Sequence, residues 1–137
     1  MRVVLDTCIL SSALRSSAGA SFKIVEAIPS KKFKTIVSTP VFFEYEEVLL
    51  RPAQFSYLKK SDIDDFINFI AASSEHQQIN FLWRPFLPDP DDDMMLELAV
   101  SGRAEAIITY NQRDFAGSER LGVRILSPSA FIQEIKL

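Results

Sequence analysis

A single cysteine, Cys8, and a single histidine, His76, in 137 residues exclude an intramolecular disulfide and a Cys/His-rich metal centre. They fit a reducing compartment. An excess of positive charge is also missing. Fifteen Lys and Arg stand against eighteen Asp and Glu, a net charge of −3, so any hold on nucleic acid must come from a local basic patch. No apolar run approaches the length of a membrane span, and no charged leader precedes an apolar segment, which predicts a cytoplasmic protein without a membrane anchor. The four glycines and seven prolines are scattered, with no repeat, low-complexity tract or linker to mark a boundary. What is present is a chain 47% hydrophobic, enough for one domain, 1–137, with a sizeable core.

Strand and helix patterns alternate along the chain, the signature of βαβ units around a parallel sheet and hence of an α/β fold. Short apolar runs predict strands at 2–5, 35–38, 79–83, 106–110 and 123–126. Helical spacing predicts helices over 9–14, 22–28, 41–50, from Ser61 onward, over 92–101, and after Ser127 and Pro128. Ser61 reads as a helix cap followed by three aspartates that complement the dipole. Gly102 reads as a terminator.

Against this layout four acidic stations follow strands. Asp6 comes directly after the first, behind Val3, Val4 and Leu5. Glu44 lies on the helix after the second, among Phe42, Phe43 and Tyr45. The run Asp89 to Asp93 opens a later helix, and Asp114 follows the fourth strand through Asn111. Parallel strands joined by right-handed crossovers present their carboxyl ends on one rim, where open α/β sheets bind ligands. Carboxylates gathered there repel one another unless a cation neutralises them. Oxygen-only ligation suits Mg²⁺ or Mn²⁺, and the chemistry such a site favours is phosphodiester hydrolysis. His76, in a polar stretch, reads as a surface residue.

The quoted segments resemble one family. "VVLDTCIL", "STPVFFEYEEVLLRP" and "DPDDDMMLELAVSGRAEAIITYNQRDF" are similar, in order and spacing, to the acidic stations of PIN domains. In particular they resemble the VapC-like toxins of type II toxin–antitoxin systems. The resemblance implies a three-layer α/β/α fold with a central, mostly parallel sheet of four to five strands. It implies an endoribonuclease acting on single-stranded RNA or exposed RNA loops, with Asp6, Glu44, Asp92 and Asp114 at the catalytic centre. Asp6, Asp92 and Glu44 would be the metal ligands, for Mg²⁺ or for Mn²⁺. Asp93 competes with Asp92, because the aspartate run leaves the register open by one position. Glu97, a turn beyond Asp93, is in reach of the same pocket, but is expected rather to pair with a cation such as Arg103 or to stay solvated. Where relatives commonly carry an aspartate after the fourth strand this chain has Asn111, which implies a weaker second metal site. Thr7 and Ser38 are further candidates for hydrogen bonds around the pocket, and Cys8 for a small buried hydrophobe.

A toxin reading also implies a cognate antitoxin as partner, and the apolar helices leave room for a homodimer. RNA would be held by cations drawn from Arg15, Lys23, Lys31, Lys32, Lys34, Arg51, Arg84 and Arg113, with Tyr110 placed to stack on a base. Trp83 is expected in the core. The competing functional reading is a catalytically weak or inactive PIN-like module that binds RNA or protein. A phosphatase with an aspartate nucleophile is disfavoured, because the general acid two residues on would be Cys8.

Overall fold

The computed structural model describes all residues except 53, 56 and 81–85. Its strands are β1 (Arg2–Leu5), β2 (Lys34–Val37), β3 (Glu75–His76), β4 (Ala106–Ile108) and β5 (Arg124–Leu126). Its helices are α1 (Thr7–Arg15), α2 (Ala20–Ala27), α3 (Thr39–Leu49), α4 (Lys60–Ser73), α5 (Pro90–Ser101) and α6 (Pro128–Ile135). The strands form one parallel sheet in the order β3-β2-β1-β4-β5, the centre of a three-layer α/β/α fold.

Val3, Val4 and Leu5 of β1, Ile36 and Val37 of β2, and all three residues of β4 are buried. These uninterrupted apolar runs are what strands covered by helices on both faces require. Helix α1 packs on α2 and α3, while α5 covers β1 and β4. Edge-to-face packing of Phe33 on Phe131, with centroids 5.1 Å apart, fastens α6 to the body. From β1 the chain steps outward to β2 and β3, then returns across β1 to β4 and β5. The order therefore reverses between β1 and β4, and the crevice at their carboxyl ends is the switch point of the sheet.

Two sequence expectations are corrected. The third strand opens at Glu75, not at Ile79. It is the shorter, polar β3, four residues earlier; Ile79 and Asn80 carry no regular structure, and 81–83 lie outside the described residues. Tertiary pairing defines this strand. Gln77 N donates to Val37 O (2.7 Å), Thr35 and Ser74 hydroxyls meet at 2.7 Å, and Glu75 pairs with Arg2 at 2.8 Å. An exposed edge needs no apolar alternation. Helix α4 is not capped by Ser61. It begins a residue earlier, and the Asp62 carboxylate accepts the Lys59 N–H at 3.0 Å.

Candidate active site

β1 carries Asp6 to the switch point and leaves it there under restraint. Its N–H continues the ladder to Ile108 O (3.0 Å), and its carbonyl accepts the Ile9 N–H (2.9 Å). Asp6 Oδ1 accepts the Thr7 N–H at 2.8 Å, so the residue is also the N-cap of α1. Asp6 Oδ2 accepts the Thr109 hydroxyl at 2.6 Å and the Cys8 thiol at 3.4 Å. Only 7% of Asp6 is exposed. Burial pushes its carboxyl above the ordinary carboxylate range, these hydrogen bonds pull it back, and the charge of Asp114 pushes it up again.

The other acids reach this point from separate elements. Asp92, half-buried in the first turn of α5, is pushed up to about 7, first by burial and then by the charges of Asp6, Asp89, Asp114 and Asp91. Glu44, half-buried on α3, is also raised. Burial again leads, followed by Glu47 and Asp91; Arg51 opposes, and Asp6 adds a last, smaller push. Asp114 is exposed on the 3-10 turn Gln112–Phe115 and bears on both Asp6 and Asp92. Asp6, Asp92 and Asp114 thus share one field, with Glu44 at its margin.

The remaining candidates are distributed differently. Asp93 is fully buried. Its Oδ1 accepts the N–H groups of Leu87 (2.9 Å) and Phe86 (3.4 Å), fastening the loop that leads into α5. Ser38 is the N-cap of α3, its hydroxyl accepting the Val41 N–H at 3.2 Å. The Thr7 hydroxyl is buried with no hydrogen-bond partner among the described residues. Asn111 is exposed, and its N–H donates to Thr109 Oγ1 at 2.9 Å. Cys8 is more than a small hydrophobe, since its thiol stands between Asp6 and Thr109. Burial and the Asp6 charge push it up to about 11, which keeps it protonated and a donor. Glu97 is not solvated; it is buried and lines a cavity with Thr39, His76 and Ile79. His76 is exposed, as expected.

The basic residues divide. Lys31 and Lys34 line a cavity of about 640 Å³ at the amino end of β2, roughly 13 Å of strand away from the acid rim, so that cluster does not border the site. Arg15 lies over the Phe55 ring. Arg51 pairs with Glu47 at 3.4 Å and acts on Glu44. Arg113 sits beside Asp114. Trp83 and Arg84 lie outside the described residues.

The donor set at the rim is hard oxygen, which matches Mg²⁺ or Mn²⁺. Among the described residues no group of three or more His, Cys, Asp or Glu side chains is arranged to hold a metal ion directly. Mg²⁺ makes no such demand, since it binds through one or two carboxylates and keeps several waters. Asp6 and Asp92, both with raised proton affinity, suit an exchange of protons for a cation.

Two contributors were not visible in the sequence. Thr109 bridges β4 to Asp6, and Tyr45, buried one position beyond Glu44, donates its hydroxyl to Leu5 O immediately before Asp6. The one available signal for Thr109 was a polar residue ending an apolar strand, the pattern that singled out Asp6.

The family described as PIN domain matches residues 2–113. Among curated proteins none matches the chain. Among solved structures, the crystal structure of VapBC2 from Rickettsia felis bound to a DNA fragment from their promoter is similar in fold. It has 13% sequence identity and a TM-score of 0.65, and the match covers 93% of this chain and 98% of that one.

Proposed function

The chain belongs to the PIN-domain family, and on that footing we propose that it is a metal-dependent endoribonuclease, the toxin component of a toxin–antitoxin pair. The observation that carries this reading is the shared field of Asp6, Asp92 and Asp114, brought from three elements to the switch point: the charges of Asp6 and Asp114 raise the proton affinity of Asp92, and that of Asp114 raises the proton affinity of Asp6. Asp6 and Asp92 would hold Mg²⁺ or Mn²⁺, with Glu44 and Asp114 on the border of the site. When bound, the cation supplies charge neutralisation, polarisation of a phosphoryl oxygen and a lowered pKa for water.

The chain's own groups have distinct tasks. Thr109, Cys8 and the Thr7 N–H fix the Asp6 carboxylate in one orientation. Glu44, whose proton affinity is raised by burial first, suits a base that orients the attacking water and takes its proton. No side-chain nucleophile is needed, and the protonated Cys8 thiol is unsuited to be one. The partner would be a cognate antitoxin, a reading supported by the sequence resemblance and by the fold shared with VapBC2. Among the described residues no helix is long and apolar enough to cross a membrane, in keeping with a cytoplasmic site of action on RNA.

The test is Mg²⁺-dependent cleavage of single-stranded RNA by the wild type and by Asp6→Asn. The amide can keep the cap, and the Thr109 hydroxyl can turn to donate to or accept from it, so the variant should fold and lose cleavage. Unchanged cleavage in Asp6→Asn refutes the site. A wild type that binds RNA without cutting it supports the inactive module, for which the neutral Asn111 is the structural argument. Growth arrest on expression, relieved by the product of an adjacent small gene, tests the toxin role.

A further inference from the structure

Next to the acid rim, Tyr110 has its ring fixed and its surroundings unused. Its hydroxyl hydrogen-bonds Ser21 Oγ of α2 at 2.7 Å and Ser12 Oγ of α1 at 3.5 Å, so the far end of the ring is held by two helices. Its near end is held by the backbone, because the preceding Thr109 is locked onto Asp6 and the following Asn111 N–H onto Thr109. Even so, 49% of the residue is exposed, and it forms one wall of a cavity of about 350 Å³ shared with Asn111, Gln112, Arg113 and Asp114. Among the described residues the side chains of Asn111, Gln112 and Arg113 make no hydrogen bond or ion pair.

A pinned aromatic face, two amides that each offer donor and acceptor, and an unpaired guanidinium match the parts of one nucleotide. The face stacks on a base, an amide reads a base edge, and the guanidinium takes a phosphate. We propose that this cavity is the pocket for the nucleobase adjoining the scissile phosphate, with Tyr110 as its stacking platform and Asn111 as its edge reader. The inference rests on the ribonuclease reading and specifies how that site selects its substrate. On this view Asn111 stands where an acid would repel the strand, and its neutrality serves recognition.

Binding, measured without Mg²⁺ so that nothing is cut, tests it. The probes are fluorescein-labelled RNA octamers of oligoadenylate and oligouridylate, and an octamer whose central riboses are abasic, read by fluorescence anisotropy. Tyr110→Ala should weaken the base-bearing octamers roughly 5- to 100-fold, the usual loss for one stacked base, and leave the abasic octamer unchanged. Tyr110→Phe, which keeps the face, should stay within a few-fold of wild type. Asn111→Ala should narrow the difference between the two base-bearing octamers. Equal weakening of all three probes by Tyr110→Ala, or no weakening, overturns the base pocket while the ribonuclease reading stands. A wild type that binds none of them overturns the pocket, while the ribonuclease reading is judged by the cleavage assay with Mg²⁺.

Discussion

Replacing Thr109 by Val removes one hydroxyl from the centre of the site with little change of volume. That hydroxyl donates to Asp6 Oδ2 at 2.6 Å in a fully buried position, and a hydrogen bond to a charged group contributes about 1.5–3 kcal/mol. It favours the ionised carboxyl, so its loss raises the proton affinity of Asp6 further. Because a cation must displace that proton, the Mg²⁺ needed for half-maximal RNA cleavage at pH 7 should rise, by at most the roughly 10- to 100-fold that about 1.5–3 kcal/mol represents, and fall back as the pH is raised. Stability supplies an independent readout. The folded Asp6 carboxyl already lies above its unfolded value of 3.8, so it weakens the metal-free fold as pH rises through the interval between the two, and the variant widens that interval. Urea melts should therefore show a larger deficit at pH 8 than at pH 5, since toward 3.8 the carboxyl is protonated in both states. A deficit equal at both pH values, or an unchanged Mg²⁺ requirement, would refute the role given to Thr109.

Asp92→Asn should raise the melting temperature of the metal-free protein by a few degrees at pH 8. The wild-type carboxyl, raised from 3.8 to about 7, destabilises the fold increasingly as pH climbs between those values. The gain should shrink at pH 5, and a lower melting temperature at pH 8 would count against the reading. Mg²⁺ should raise the wild-type melting temperature more at pH 8 than at pH 6, where protons compete for the same oxygens, and should leave Asp92→Asn unmoved. Asp93→Ala, by contrast, should cost about 1.5–3 kcal/mol by orphaning the Leu87 and Phe86 N–H groups and retain cleavage per folded molecule. A stable but inactive Asp93→Ala would exchange the roles of the two aspartates.

The central strands were legible because a strand buried on both faces must be written in apolar residues, and Val3 to Leu5 and Ala106 to Ile108 are. β3 was not, because an edge of two exposed residues owes its existence to partners on β2 rather than to its own composition. Asp6 was legible for a related reason: a carboxylate directly after a buried strand has few places to be except the rim. The choice between Asp92 and Asp93 was not, since neighbours on a helix point about 100° apart and both satisfy a dipole at its first turn. The loop at 86–87 decides it, and no local pattern announces that Asp93 will fasten it. Lys31, Lys32 and Lys34 read as candidate RNA contacts because sequence carries charge but not the strand end at which it emerges.

Asp6 has obligations that the other acids lack, and these determine how the site can be probed. It belongs to the β1–β4 ladder, caps α1 and accepts three side-chain or backbone donors while almost fully enclosed. Among the described residues Asp92 has no comparable attachment and, raised to about 7, it is divided between its protonated and ionised forms near neutral pH. Without a cation, then, the cluster is tolerated in two ways: fixed donors offset the charge of Asp6, and an exchangeable proton offsets that of Asp92. The same division makes alanine a poor probe at Asp6, where it would strip the cap from α1 and orphan the Thr109 hydroxyl together. Asparagine removes the charge alone. A difference in folding between Asp6→Ala and Asp6→Asn, with cleavage lost in both, would separate what the carboxylate does for the fold from what it does for the reaction.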